Sequence, residues 1–536
     1  MKLYWRIFLS VLSCLLLIVS SYDEFSLIAW LALIPYFIVI AKSNMRSAIL
    51  LSWLAGIIFF AGITLWFTEY SYSYWFVIII ILSIYFIFYG AVFKIIYNKI
   101  KLPFFRILLI SSVWIAVEFF RHRTFLAFPW GVLGYFQHNH LEVMQISKFT
   151  GVIGVSLLII LFNLCISEII LYIIDLKPRL KLKLFHHKDL SNNTPGEEFK
   201  AALSKKLAYE VFYKTSVFKS AAIIFSIAVL NSFAGLIYLK TNASSIEGEK
   251  LNVALVQPNI SFDDKFETDS GFLIPDKTGN DGKYFLEETD LVVFPESIIW
   301  GTVENKRNKT FYEWVKKTAG NEDLYFIMGQ ILWDENENYY NAVQLYNPEL
   351  EIIGRYNKIH PLPCAEYMPY PDVLGFLSFL NIAKLNITPD YKFSLIDFPG
   401  KGSIGPNICF ESTLQLISRT FRKIGAGSLF TFTDTAGFKD SIVARHHLIF
   451  SQVRAIENNS FMVHSGNNGI SAIIDPNGRI LVKSEIIKKD VIYGSIYFNN
   501  RNSFYSRYGE LILYIYFGFS LIISMIFEIK LSRRKK

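Results

Sequence analysis

The chain has 536 residues, 52% hydrophobic and 16% aromatic but only 18% charged. Its mean hydropathy of +0.35 excludes an ordinary soluble enzyme of this length and places the apolar excess in lipid. A net charge of +8 would suit nucleic acid, but the basic residues cluster beside apolar segments and in the tail from Lys530 to Lys536; that pattern belongs to membrane topology and points away from a nucleic-acid partner.

Apolar stretches near 7–21, 26–41, 48–67, 74–93, 105–120, 152–174, 218–239 and 509–528 predict a bundle of about eight transmembrane helices. The first stretch follows Lys2 and Arg6 as a signal peptide would. It lacks a small-x-small cleavage site before Tyr22-Asp23-Glu24, so an uncleaved anchor is expected. With all the spans in place, Lys2, Arg6, Lys42, Arg46, the Lys94 to Arg106 run, the basic stretch from Lys177 to Lys219 and the C-terminal tail share one side. The positive-inside rule makes that side cytoplasmic. Residues 1–239 then hold transmembrane helices 1–7 with a basic cytoplasmic loop near 175–217, residues 240–508 form an extracytoplasmic domain, and 509–536 supply the last helix and a basic tail.

The loop after the fifth span carries Phe125-Leu126-Ala127-Phe128-Pro129-Trp130-Gly131. Aromatics at a membrane edge form an interfacial belt or shape a lipid-facing entrance. Ser191-Asn192-Asn193-Thr194-Pro195-Gly196 reads as a flexible connector without chemistry. Beyond Lys240 the pattern changes to short strands at 251–256, 291–294, 324–329, 342–346, 352–356, 403–409, 428–432, 461–465, 471–474 and 491–498, with helices at 310–318, 413–424 and 446–458. Such interleaving predicts an α/β domain large enough to bury its own core. Within it, Tyr367 to Leu380 is rich in large apolar groups; it either packs inside the domain or rests in the outer leaflet as an arm.

Three short runs carry the chemistry. Leu291-Val292-Val293-Phe294-Pro295-Glu296 is a buried strand delivering a carboxylate at its C-terminal end, where α/β sheets place their sites. Tyr356-Asn357-Lys358 delivers a lysine in the same way. Pro406-Asn407-Ile408-Cys409 ends in a thiol just before a helix, whose positive N-terminus favours thiolate. Glu296, Lys358 and Cys409 together form a general base, an oxyanion stabiliser and a nucleophile. Of the 4 cysteines, Cys14 and Cys165 fall in apolar segments, while Cys364 and Cys409 could pair as a disulfide. No zinc spacing, Walker loop or Gly-rich dinucleotide turn occurs, so neither metal nor cofactor is expected.

The Glu296, Lys358, Cys409 order resembles the nitrilase, or carbon-nitrogen hydrolase, superfamily, which implies an α-β-β-α sandwich. Combined with the spans, the chain resembles the apolipoprotein N-acyltransferase family. The likeness runs through Phe128-Pro129-Trp130, Gly134-Tyr135, Thr150 to Ser156, Phe294-Pro295-Glu296-Ser297, Tyr356-Asn357-Lys358, Ile408-Cys409-Phe410-Glu411, His447, Arg454-Ala455-Ile456-Glu457 and Asn467 to Ser471. It implies a bacterial inner-membrane, multi-pass monomer that needs no cofactor. Its partners would be a phospholipid acyl donor and a diacylated lipoprotein acceptor, with a Cys409 thioester between them.

The resemblance also implies that Glu366 supports Lys358, that the Phe410 N–H is a second oxyanion donor, and that Trp130, Glu411 and Gly437 contact substrate. Three departures stand out: Gly437 replaces a tryptophan in the 433–439 loop, Phe410 a tyrosine, and Cys364-Ala365 a Phe-Gly pair. Two other readings stay open, a membrane-tethered nitrilase-type amidase or hydrolase and a non-catalytic homologue that binds lipoproteins.

Overall fold

The computed structural model describes residues 2–533 apart from 70, 124–126, 190–196, 242–247, 262–284, 286–287, 302–305, 364, 369, 376–385 and 439–440. The connector at 191–196, Cys364, the apolar segment from Phe376 to Leu380 and the tail from Arg534 therefore lie outside the described residues.

The N-terminal half is built from the apolar helices α1 (Leu3–Val19), α2 (Ile34–Lys42), α3 (Met45–Ile63), α4 (Tyr72–Lys99), α5 (Pro103–Arg123), α6 (Val152–Asp189) and α7 (Glu197–Thr241). Among the described residues, six segments are long and apolar enough to cross a bilayer, and the outermost two, Leu3–Val19 and Leu511–Ile526, are shorter. The second expected span is not one helix: a 3₁₀ turn at Asp23–Ile28 and a short helix at Ala29–Ala32 precede α2. Pro35 cannot donate to the preceding turn, so the helix breaks at Leu33. Backbone groups freed in lipid need partners. Asn163 on α6 supplies them, accepting from the Leu33 N–H at 2.9 Å and donating to the Ala29 carbonyl at 3.0 Å.

The C-terminal half is a two-sheet sandwich. Its strands are β1 (Glu249–Gln257), β2 (Leu291–Val293), β3 (Ile299–Trp300), β4 (Tyr325–Trp333), β5 (Tyr339–Tyr346), β6 (Ile352–Asn357), β7 (Ile396–Phe398), β8 (Gly402–Ile408), β9 (Ser428–Thr433), β10 (Met462–Gly466), β11 (Ala472–Ile474), β12 (Ile480–Lys483) and β13 (Asp490–Phe498). One sheet runs β13-β1-β2-β4-β5-β6, with β3 paired to β4; the other runs β12-β11-β10-β9-β8-β7.

The period of two in β1 explains the layering. Leu251, Val253 and Leu255 enter the core between the sheets with Ile404, Ile408, Phe430 and Phe432. Ala254 and Val256 point outward against Phe311 and Val315 of α8 (Lys306–Glu322). Helices α9 (Gln415–Lys423) and α10 (Ser441–Asn458) follow β8 and β9, and α11 (Leu511–Arg533) returns to the apolar bundle. The ten expected strands are all present, and β3, β7 and β12 are additional.

The two halves are joined by buried polar contacts. Arg454 and Glu457 are both fully buried. They form an ion pair of 2.8 Å. Glu457 accepts from the Val152 N–H at the start of α6 at 2.7 Å, where the helix dipole favours an anion. Arg454 donates to the Tyr135 hydroxyl at 2.6 Å. The Phe128-Pro129-Trp130 run is not an exposed interfacial belt. Phe128 and Trp130 are buried, and Trp130 packs edge-on to Phe450 of α10.

Candidate active site

Three chain reversals place the chemistry. Glu296 follows β2 and Lys358 follows β6 in one sheet, while Cys409 follows β8 in the other. The C-terminal ends of strands leave the sheet with unpaired backbone and are where side chains converge. Ser297 (φ 55°) and Cys409 (φ 49°) both hold left-handed backbone, sparsely populated by side-chain-bearing residues and costing on the order of 1–3 kcal/mol each. These strained turns sit beside the carboxylate and at the thiol themselves. Gly329 of β4 admits the first turn: a Cβ there would come within 2.6 Å of Glu296 Cα and of the Pro295 carbonyl oxygen.

Lys358 is 1% exposed and lies between two carboxylates, with Nζ 2.8 Å from Glu366 and 3.4 Å from Glu296 Oε1. Glu296 is itself pinned from both sides. Asn341 Nδ2 of β5 donates to Oε1 at 2.7 Å, and the Asp434 N–H, after β9, donates to Oε2 at 2.9 Å. Glu366 accepts from the Leu362 N–H at 2.6 Å, which fixes it for Lys358.

The electrostatics follow from burial and charge order. Burial raises the Glu296 carboxyl above the usual range; Lys358 pulls it back, and Glu366 and Asp434 push it further up. Burial opposes the Lys358 charge, but Glu366 and Glu296 outweigh it, so the ammonium is held above the ordinary lysine value. Burial also raises the Cys409 thiol well above its usual value, reinforced by Glu296 and partly countered by Lys358. This corrects the expectation of a helix-stabilised thiolate. The segment after Cys409 is a five-residue 3₁₀ turn rather than a long helix, and desolvation wins. The resting group is a thiol beside a carboxylate of raised proton affinity, the pairing that general-base activation requires.

The residues expected to contact substrate separate. Glu411 is fully buried. Its Oε1 accepts from the Tyr356 hydroxyl and the Ile359 N–H, each at 2.7 Å, and from the His360 N–H at 3.0 Å; Oε2 accepts from the Ile408 N–H at 2.8 Å. Burial pushes its carboxyl up to about 7 against these donors. Glu411 thus ties the cysteine turn to the lysine turn across the two sheets. Trp130 is a wall behind the nucleophile's turn, stacked on Phe410 at 6.2 Å and 13° and donating its indole N–H to His446 Nδ1 at 3.2 Å. Gly437 is exposed, with open space where a side chain would project. Cys409 is a free thiol, and Cys364 lies outside the described residues.

Sequence reading passed over Asn341 and Asp434 and gave Asn467 no part in the site. Asn341 is a lone amide in an apolar strand with no spacing signal, and Asp434 acts on Glu296 through its backbone N–H, which any residue carries. Asn467 is fully buried and its amide donates to Asp434 Oδ1 at 3.0 Å. Among the described residues no cluster of three or more His, Cys, Asp or Glu groups is arranged to hold a metal ion.

Comparison with known proteins adds two family matches. Residues 13–165 match the apolipoprotein N-acyltransferase N-terminal domain, and residues 252–504 match carbon-nitrogen hydrolase. An apolipoprotein N-acyltransferase of Geobacter metallireducens is 27% identical over 518 residues, covering 94% of this chain and 91% of that one. Apolipoprotein N-acyltransferase 1 of Treponema denticola is 23% identical, covering 92% and 90%. An apolipoprotein N-acyltransferase of Aquifex aeolicus is 31% identical over 283 residues, covering 51% and 58%.

Proposed function

From a chain that belongs to the apolipoprotein N-acyltransferase family, within the carbon-nitrogen hydrolase superfamily, we infer an enzyme that moves an acyl chain from a phospholipid, through a thioester on Cys409, to the α-amino group of a diacylglyceryl-cysteine lipoprotein. The observation that carries the mechanism is the buried Lys358, held between Glu296 and Glu366 in the field of the Cys409 thiol.

In the first half-reaction Glu296 takes the thiol proton as sulfur attacks the ester carbonyl of the phospholipid. The Lys358 ammonium and the Phe410 N–H receive the developing negative charge on oxygen. The ester C–O bond then breaks, Glu296 returns the proton to the leaving alkoxide, and a lysophospholipid departs. In the second, the amine of the lipoprotein attacks the thioester carbonyl. Glu296 takes the amine proton, the C–S bond breaks and the thiol is restored. The raised proton affinity of Glu296 suits it to take a proton from the thiol and later from the amine.

The protein is a multi-pass membrane protein, and its charge distribution supports a catalytic half on the extracytoplasmic side of the bacterial inner membrane. The test is transfer itself. Full-length protein in micelles, given phospholipid and a diacylglyceryl-cysteine peptide, is expected to yield triacylated peptide and lysophospholipid in equal amounts. Free fatty acid without triacylated peptide would support a hydrolase instead.

A further inference from the structure

Helices α5 and α11 touch at two levels. Phe119 packs edge-on to Tyr514 at 5.8 Å, and the Ser111 and Tyr516 hydroxyls bond at 2.7 Å. Along these contacts runs a groove of about 230 Å³, walled chiefly by Ile115, Ala116, Phe119, Leu513, Tyr514 and Phe517. Phe120 and Phe517 on its rim are exposed, so it opens on the lipid-facing side of the bundle. The polar groups along it are already engaged. Ser112 donates to the Leu108 carbonyl at 2.8 Å, Tyr516 is held by Ser111, and Glu510 accepts from the Tyr505 hydroxyl at 3.1 Å and pairs with Arg123. Such a wall offers no hydrogen bond and suits hydrocarbon.

The end of the groove nearest the sandwich is basic. Arg123 closes α5 beside Glu510, with its guanidinium 5.2 Å from the Phe119 ring centre. Arg419 of α9 reaches the same place, its Nε donating to the Tyr505 carbonyl at 3.1 Å. Gly509, at φ 61°, makes room for it, since a Cβ there would come within 2.5 Å of the Arg419 guanidinium carbon. Among the described residues no carboxylate pairs with Arg419. Arg507, two residues before Gly509, is exposed, so Arg123, Arg419 and Arg507 outnumber Glu510. Aromatics mark the depth: Tyr508 packs on Phe504 at 4.7 Å and Phe504 on Phe149 at 6.4 Å, with Tyr508 and Phe149 exposed as at a headgroup layer.

We propose that the α5–α11 groove binds one anionic phospholipid, an acyl chain lying against Ala116 and Leu513 and the headgroup phosphate on Arg419 beside Arg123. A planar guanidinium matches phosphate oxygens, and cations at the membrane surface attract anionic lipid. None of the lining residues belongs to the groups around Cys409, so this lipid is a resident one that fills the contact between α5 and α11. It is separate from any phospholipid that meets the thiol.

The experiment places full-length protein in phosphatidylcholine bilayer discs with a small share of a lipid carrying a photoactivated diazirine on one acyl chain. Two probes are compared, phosphatidylglycerol and phosphatidylcholine, alike except in the headgroup. Cross-links are mapped by peptide mass spectrometry and read only on α5 and α11. The phosphatidylglycerol probe is expected to label these peptides about fivefold more than the phosphatidylcholine probe, the preference that one arginine at a membrane surface gives an anionic lipid. Arg419→Gln is expected to bring the first probe down towards the second and leave the second unchanged. Equal labelling by the two probes in wild type would mean that bulk lipid merely bathes the groove, and would overturn the proposal. So would an Arg419→Gln protein that keeps the full preference. Should that variant fail to fold, the wild-type comparison alone decides. No acyl transfer is read, so the result stands whichever reaction Cys409 performs.

Discussion

Replacing Lys358 with methionine is expected to slow acylation of Cys409 by about 10²–10³-fold, the loss typical of removing one preorganised oxyanion donor. It should also destabilise the sandwich by about 3–5 kcal/mol, because Glu296 and Glu366 are left facing each other in a buried site without a cation. The stability loss has a sign in pH. Without Lys358 the already raised proton affinity of Glu296 climbs further above the unfolded value, so the penalty is greatest above that raised range and shrinks as pH falls and Glu296 takes up a proton. Chemical unfolding of wild type and Lys358→Met at neutral and mildly acidic pH measures this, with single-turnover acylation measured in parallel. A variant that matches wild type in both would remove Lys358 from the mechanism.

Glu296→Gln separates two roles that a simple loss of structure would not. Glutamine can still accept from the Asp434 N–H through its carbonyl oxygen and is close in size, so the turn after β2 is kept. Burial of Cys409 remains, but the second cause of its raised proton affinity, the Glu296 charge, is gone, and Lys358 acts on the sulfur less opposed. Alkylation of Cys409 at neutral pH is therefore expected to accelerate while acyl transfer falls by about 10²–10⁴-fold, the usual worth of a positioned general base. Alkylation and transfer falling together would mean that Glu296 holds the fold rather than the proton.

The strands were legible because apolar runs bounded by turn residues persist through the C-terminal half, and sheets buried on both faces require such runs. The strands that were not expected, β3, β7 and β12, are two, three and four residues long. The apolar helices were legible from composition, but the break at Leu33 was not, since Asn163, which satisfies it, lies 130 residues away. The same distance in sequence hides the site's framework. Glu296, Lys358 and Cys409 announced themselves at strand ends, yet the link that the Glu411 carboxylate makes from Ile408 to Ile359 and His360 left no signal in the sequence. Trp130 looked like a membrane-surface residue for a related reason. A tryptophan beside an apolar span reads as interfacial unless the partner that buries it, here Phe410 and Phe450, is known.

The thioester on Cys409 is tested most directly by the intact mass of full-length protein after incubation with phospholipid alone. Wild type and Cys364→Ala are predicted to gain one acyl chain that hydroxylamine removes, and Cys409→Ala to gain none. An acyl adduct that persists in Cys409→Ala, or a folded wild-type protein that turns over phospholipid without ever carrying an adduct, would contradict it.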